Sequence, residues 1–343
     1  MGTDRETVLG CSQWVVDIRR RDGVHFDLDR LVVADARSST GDVNVVSHAH
    51  TDHLLRRDGA VVCSRETAAI AAARSGRSYE PLDVPGIRLV PAGHVVGSRA
   101  AIITGCDGRR YCYTGDFSIR DRGPLEGFDP TTIDVDVLVL ETTYGRPTYT
   151  FPPQEDLEAA IADWFVDNAD RPLVCFGYVL GRAQMLEWLA DRATNREVLV
   201  TPDIGAIDAA IETATDGVVS LPGRVREPET LRSLEDAIVV TPGTQANEAW
   251  VERLQSDQDA RTGAFSGWAI EDSYRYRRGT DVAFPLTDHC GHDELLETVQ
   301  AIDPERVYTH HGFAVEFADE LATEHGYDAR ALLRRQATLS DFR

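Results

Sequence analysis

The stretch Val43-Asn44-Val45-Val46-Ser47-His48-Ala49-His50-Thr51-Asp52-His53 reads as a short apolar strand that ends in three histidines and an aspartate. Three imidazoles within six residues repel one another when protonated, and together with the carboxylate they compete for hydration. A pair of divalent cations resolves both problems, because histidine and aspartate are standard zinc donors and an open position keeps a water for catalysis. A solvated histidine-rich loop is the ordinary alternative. Donors packed this densely after a strand argue against it.

Working outward, the same placement recurs. His94, in Pro91-Ala92-Gly93-His94, follows a strand expected at 87–90, where glycine lets the backbone turn sharply. Asp116, in Thr114-Gly115-Asp116, follows a strand expected at 111–114, so its carboxylate is placed to bridge two cations. His311, before Gly312 at the end of a strand expected at 306–309, could be the seventh donor. Its neighbour His310 points to the opposite face, so only one of the two reaches a metal.

The 343 residues are enough for one large domain or two moderate ones. No stretch approaches the roughly 20 apolar residues of a membrane span, and the N-terminus has no signal-peptide apolar region, so the chain is expected in the cytoplasm. Six scattered cysteines without a CxxC pair are expected to be reduced, mostly buried thiols. The formal net charge is −22, and all 35 basic residues are arginine. Such an acidic, lysine-free composition fits a salt-adapted cytosol. By itself it argues against a polyanionic substrate. In molar salt, however, the Debye length shrinks to about 3 Å, so binding rests on local arginines and metal ions.

Up to about residue 145 the chain alternates short strands with turns: a hairpin over 24–28 and 31–35, then 43–47, 61–63, 87–90, 100–104 and 111–114. Residues 67–74 are alanine-rich and helical, and 135–140 form an apolar strand buried on both faces. From Pro152 the texture changes. The helix expected over 154–167 carries Leu157, Ile161, Trp164 and Phe165 on one stripe. Strands at 173–176, 198–200, 218–221 and 238–241 alternate with helices at 182–190, 204–215 and 246–255, which predicts a small α/β unit with a parallel sheet. An irregular Tyr/Arg-rich stretch follows residue 265. A strand at 282–285, a helix at 293–302, a strand at 306–309 and a helix at 313–325 finish the chain.

The order of these motifs resembles the metallo-β-lactamase superfamily, whose αββα sandwich carries a dinuclear site along one edge of its facing sheets. Glu141-Thr142-Thr143-Tyr144-Gly145, Asp288-His289-Cys290 and His310-His311-Gly312 resemble the three further motifs of the β-CASP nucleases. The resemblance implies an α/β fold in which residues 1–150 and 280–343 form the metallo-β-lactamase sandwich and 151–279 an inserted β-CASP α/β domain. It also implies two Zn2+ ions, one held by His48, His50 and His94, the other by Asp52, His53 and His311, which the pattern selects as the histidine before glycine, with Asp116 bridging. Asp52 is alternatively a residue that supports a ligand. His289 resembles the histidine that protonates the leaving oxygen, a task that suits an imidazole pKa near neutral. The sequence after it, Cys290-Gly291-His292-Asp293, departs from the usual Ala or Thr followed by Asp. His292 is therefore a second candidate, and otherwise an N-cap. Glu141 orients His289 or a zinc ligand, which completes a catalytic set of Asp52, His289 and Glu141.

Substrate contacts are expected where strands turn into helices. Tyr178-Val179-Leu180-Gly181-Arg182 resembles a segment of β-CASP exonucleases, and Gly181 and Arg182 could grip a phosphate at a helix N-terminus. Thr244, in Thr241-Pro242-Gly243-Thr244, lies in a second such turn. A glycine turn with an ion-paired arginine remains equally open. Tyr274-Arg275-Tyr276-Arg277-Arg278 is a basic, aromatic patch that either stacks bases or forms an exposed strand edge. The expected function is a zinc-dependent nuclease acting on RNA or single-stranded DNA, resembling mRNA 3′-end processing factors on its third motif and DNA-ligase-associated exonucleases on residues 141–149 and 179–184. The alternatives are a hydrolase of small thioesters or lactones, which would lack the insertion, and an inactive scaffold, which would lose donors. No membrane partner is expected, and a homodimer is left open.

Overall fold

The computed structural model describes residues 17–231 and 234–333. Four strands, β1 (Asp17–Arg21), β2 (Gly23–Asp27), β3 (Leu31–Ala34) and β4 (Val43–Val45), form the first sheet in that order. The expected hairpin is β2–β3, and β4 runs parallel to β3. A small parallel pair, β5 (Gly59–Val61) and β6 (Tyr79–Pro81), flanks helix α1 (Arg65–Ser75). Ser64 caps α1 by accepting a hydrogen bond from the Thr67 N–H, and Gly76 ends it in the left-handed conformation.

The second sheet begins with β7 (Ile87–Pro91), β8 (Arg99–Thr104), β9 (Arg110–Tyr113) and β10 (Val137–Glu141). Its strands are apolar on both faces because each face meets a separate core. Ala101, Ile103, Tyr111, Tyr113, Val137 and Val139 pack against Phe26, Val32 and Ala34 of the first sheet. The alternate residues Ala100, Ile102, Cys112, Leu138 and Leu140 face the helices near the chain's end. Truncating a residue such as the fully buried Leu138 to alanine is expected to cost about 2–5 kcal/mol.

The chain then leaves this sandwich. Helices α2 (Gln154–Asp167), α3 (Arg182–Ala193), α4 (Pro202–Ala214), α5 (Ala249–Gln258) and the short α6 (Ser273–Arg278) surround a third sheet of six strands. Its strands are β11 (Leu173–Gly177), β12 (Val198–Val200), β13 (Arg224–Val225), β14 (Ile238–Pro242), β15 (Arg261–Phe265) and β16 (Val282–Phe284), all parallel, in the order β13-β12-β14-β11-β15-β16. Because β16 belongs to this sheet, the sheet runs past residue 279, the expected end of the insertion. Helix α7 (His292–Ile302), β17 (Arg306–His310), α8 (Ala314–Thr323) and β18 (Ala329–Ala331) return to complete the second sheet, ordered β18-β17-β10-β9-β8-β7. The fold is an αββα sandwich with an inserted α/β unit. Apolar contacts between Ile70, Ala71, Val95 and Val96 on one side and Leu180, Ile207 and Ile211 on the other join the two parts.

Several local expectations change. Residues 218–221 are not a strand: Val218 is 86% exposed, and Val219 instead plugs the apolar contact beside α4. The Tyr/Arg stretch is helix α6, ended by a left-handed Gly279 whose N–H reaches the carbonyls of Arg275 and Tyr276. The sequence pattern did not mark β1, β6, β15 or β18. Cys63, Cys112, Cys175 and Cys290 are free and buried, whereas Cys106 is disulfide-bonded, contrary to the expectation of reduced thiols throughout. Cys11 lies outside the described residues. Among the described residues no helix is long and apolar enough to cross a membrane.

Candidate metal centre and active site

Strand direction gathers the candidate residues. Strand β7 is antiparallel to β8 and β8 to β9, while β9, β10 and β17 are mutually parallel neighbours. Strands β7, β9, β10 and β17 therefore all end at one edge, and His94, Asp116, Glu141 and His311 follow or close them there. The loop after β4 in the facing sheet brings His48 to His53 to the same edge. Glycine makes this approach possible: Gly115 sits at φ +57°, and a Cβ there would lie 2.6 Å from Ser47 Cβ.

Donor atoms from His48, His50, His94 and Asp116 all lie within 4.8 Å of one another. His50 Nδ1 is 3.0 Å from His48 Nε2 and 3.1 Å from His94 Nε2. One nitrogen lone pair cannot serve two donors at once, so this cluster fits a shared cation better than a hydrogen-bond network. The far sides of the rings are fixed: His94 Nδ1 donates to the Asp288 carbonyl at 2.8 Å, and His48 Nδ1 lies 2.9 Å from Ser47 Oγ. Burial first, then neighbouring imidazoles, hold His48 and His94 well below the usual histidine range. Burial also takes His50 down to about 3. Neutral imidazoles are the form that binds metal.

A second group adjoins the first through Asp116. Its Oδ2 is 3.6 Å from His48 Nε2 and 3.5 Å from His53 Nε2, while its Oδ1 is 4.0 Å from His311 Nδ1. Asp52, with its side chain 75% exposed, places Oδ2 3.7 Å from His53 Nε2. His311 adopts φ +62°, a strained conformation for a residue other than glycine. It lines the cleft, while the buried His310 stacks on Tyr113. Burial lowers the His311 imidazole to about 4. Burial pulls His53 down too, but the carboxylates of Asp116 and Asp35 lift it to about 10. Asp116 is itself pushed up to about 6 by burial.

Asp35 is the residue that sequence reasoning missed. Its carboxylate accepts hydrogen bonds from the Ser47 N–H, from His53 Nδ1 at 2.9 Å and from the Tyr113 hydroxyl at 2.9 Å. It thereby fixes which nitrogen of His53 faces Asp116. An apolar strand followed by aspartate was the only available signal, and it reads equally well as a hairpin end.

His289 and Glu141 meet on the other side of the donors, His289 Nδ1 donating to Glu141 Oε1 at 2.8 Å. The His289 ring lies 4.6 Å from that of His94 and lines a cleft of about 340 Å³ with His50, Asp52, Asp116 and His311. His292 is directed elsewhere: its Nε2 donates to Glu320, away from the cleft. Arg122 joins two of the loops, donating to the carbonyls of Gly93, His94 and Thr287.

Arg182 lines the same cleft, pairing through Nη2 with Asp288 Oδ1 at 2.8 Å and lying over the Tyr178 ring at 4.2 Å. Gly181, at φ +95°, sits where a Cβ would come within 2.8 Å of Asp288 Oδ2. Thr244 corrects an expectation. It is exposed on a 3-10 turn, Gly243–Gln245, outside the cleft lining, because β14 ends on the inserted sheet near Arg278.

No family model matches the chain. A probable DNA ligase of Opitutus terrae is 34% identical over 300 residues, 84% of this chain and 28% of the relative. The probable RNase MJ4 of Methanocaldococcus jannaschii is 24% identical over 283 residues, 70% of this chain and 65% of the relative. Cleavage and polyadenylation specificity factor 73 of Drosophila melanogaster is 34% identical over 151 residues, 43% of this chain and 21% of the relative. The chain thus spans less than a third of the length of the ligase relative. With these relatives and this arrangement of motifs on an αββα frame, the chain belongs to the β-CASP nuclease family of the metallo-β-lactamase superfamily.

Proposed function

We propose that the protein is a zinc-dependent phosphodiesterase that cleaves RNA or single-stranded DNA. The observation that carries this reading is that His50, Asp52, His53, Asp116 and His311 line one cleft beside the His289–Glu141 pair, with donor atoms of His48 and His94 within 4.8 Å of those of His50 and Asp116. His48, His50 and His94 would hold one Zn2+ and Asp52, His53 and His311 the second, with Asp116 between them. When bound, the ions supply Lewis-acid activation of water and of the phosphoryl oxygens.

The chain's own residues do the rest. Asp35 and Ser47 orient the rings of His53 and His48. Glu141 holds His289 Nδ1, which leaves Nε2 to deliver a proton to the leaving oxygen. Gly181 and Arg182 border the cleft where a substrate phosphate would lie. We place the sandwich at residues 1–150 together with the end of the chain. The inserted unit then starts at 151 and, since β16 joins its sheet, extends to about residue 285. We read the −22 charge as salt adaptation and the compartment as cytoplasmic.

The relatives support both nucleic-acid classes, one being named a probable DNA ligase and another a probable RNase. The test is to incubate zinc-loaded protein at high salt with end-labelled single-stranded RNA and DNA, beside Asp116→Ala and His289→Ala variants. Cleavage of either polymer, lost in both variants, supports the reading. Hydrolysis of a thioester or lactone with neither polymer cut would overturn it, and full zinc content and activity in Asp116→Ala would overturn the bridging role.

A further inference from the structure

The cleft wall carries a cation that feels the Asp52 charge but forms no hydrogen bond or ion pair with the metal donors or with the His289–Glu141 pair among the described residues. Arg74, in the last turn of α1, lines the cleft with His50, Asp52 and Arg182. Its Nη1 is buried without a hydrogen-bond partner, and among the described residues no hydrogen bond or ion pair fixes the guanidinium. Arginine in a last helical turn usually faces water or the helix carbonyls. Here it lies half-buried along the cleft, in a chain whose net charge of −22 offers many carboxylates it could have paired with.

Arg182 repeats the pattern. It is only 5% exposed, and although Nη2 lies 2.8 Å from Asp288 Oδ1 in an ion pair, its Nε and Nη1 are buried without hydrogen-bond partners, as are both Asp288 oxygens. Two guanidinia on one cleft therefore leave three buried N–H-bearing nitrogens unmet. Leaving such donors unsatisfied is costly. A carboxylate would answer one of them, whereas a tetrahedral anion presents several oxygens in different directions and suits the fork geometry of arginine.

We propose that Arg74 and Arg182 form a second phosphate subsite, which takes the phosphate next to the one that faces the metal donors. The inference rests on the nuclease reading and adds to it a requirement for two phosphates. A substrate with a single phosphodiester fills only the donor cluster. An oligonucleotide fills both, so Arg74 distinguishes polynucleotides from isolated diesters.

The experiment compares wild type with Arg74→Ala and Arg74→Lys at one fixed ionic strength, with folding checked by circular dichroism. The zinc-loaded proteins are assayed on a single-stranded oligonucleotide and on bis(p-nitrophenyl) phosphate. In Arg74→Ala the ratio of the two KM values is expected to rise about tenfold, the loss of a charge-assisted contact, with partial recovery in Arg74→Lys. Separately, inorganic phosphate is titrated calorimetrically into metal-free protein, where Arg74→Ala is expected to weaken binding about tenfold. An unchanged KM ratio, or phosphate affinity that ignores Arg74, overturns the subsite. Wild type that cuts neither diester sinks the nuclease reading alone, and Arg74-dependent phosphate binding by metal-free protein then still supports an anion site.

Discussion

His289 Nδ1 donates to Glu141 Oε1 at 2.8 Å, joining residues 148 positions apart, while Glu141 Oε2 accepts the Thr143 N–H at 2.8 Å. Burial alone would pull the imidazole down, but the Glu141 charge and hydrogen bond, helped by Asp116 and Asp288, raise it to about 9. Burial likewise pushes Glu141 up, and His289 with Thr143 outweighs it, so its carboxyl stays below the usual range. The histidine thus keeps its proton at neutral pH, the state a general acid requires. Because its folded pKa lies above the ordinary 6.5, the pair's stabilisation is complete below 6.5 and is lost as pH rises through about 9.

Glu141→Gln removes the charge that holds that proton. The alkaline limb of the pH–rate profile is expected to move down from about 9 towards the ordinary imidazole value. His289→Ala is expected to lower kcat by about 10²–10⁴, the usual contribution of a positioned acid. An alkaline limb that stays put in Glu141→Gln would separate the glutamate from the proton.

Asp35 acts on the metal centre through His53. Asp35→Asn keeps the shape but turns an acceptor for His53 Nδ1, the Ser47 N–H and the Tyr113 hydroxyl into a weaker one. Zinc affinity is expected to fall about 10- to 100-fold. Competition with a chelator measures it, and an affinity equal to wild type would show that Asp35 matters only for folding.

The sequence made the donors legible because each is local: an apolar strand followed at once by histidine or aspartate, as at His94 and Asp116. Asp35 was hidden because its meaning comes from Ser47, His53 and Tyr113, which lie 12, 18 and 78 positions away. Arg74 was hidden for a related reason. In an alanine-rich helix it looks like an ordinary basic residue of the last turn, and only the fold brings it to the cleft beside His50, Asp52 and Arg182. The apolar run at 218–221 misled in the opposite way, since Val219 is apolar to fill a contact and not to line a sheet. Tyr and Arg alternating at 274–278 imitate a strand edge, but Gly279 provides a helix stop.

Metal uptake should release a proton. Without metal, His53 is lifted to about 10 by Asp116 and Asp35 against the pull of burial, so it is protonated at pH 7. His48, His50, His94 and His311 are held low and are already neutral there. Binding must therefore displace close to one proton, and zinc affinity is expected to climb with pH across the neutral range. Calorimetric titration of zinc in two buffers of different ionisation enthalpy counts that proton, and equal heats in both buffers would contradict the assignment of His53 as a donor.

A second buried pair tests the inserted unit independently of the metal. Glu187 on α3 and Asp208 on α4 act on each other in the interior, Gly223 N–H donating to Glu187 Oε2 and Gln184 Nε2 to Asp208 Oδ1, while Glu187 Oε1 and Asp208 Oδ2 are buried without a partner. Burial, followed by mutual repulsion, pushes Glu187 well above its ordinary 4.5, and burial pushes Asp208 to about 7. The folded pair therefore binds more protons than the unfolded chain. Its stability is complete below the ordinary carboxyl values and is lost as pH rises through about 7. Glu187→Gln keeps an acceptor for Gly223 and gains a permanent donor for Asp208. At pH 8 the variant is expected to be more stable than wild type by about 1–3 kcal/mol. At pH 5, where wild type supplies the proton itself, the difference should shrink towards zero. Thermal melts at the two pH values read this out, and a variant destabilised equally at both would mean that no proton is shared.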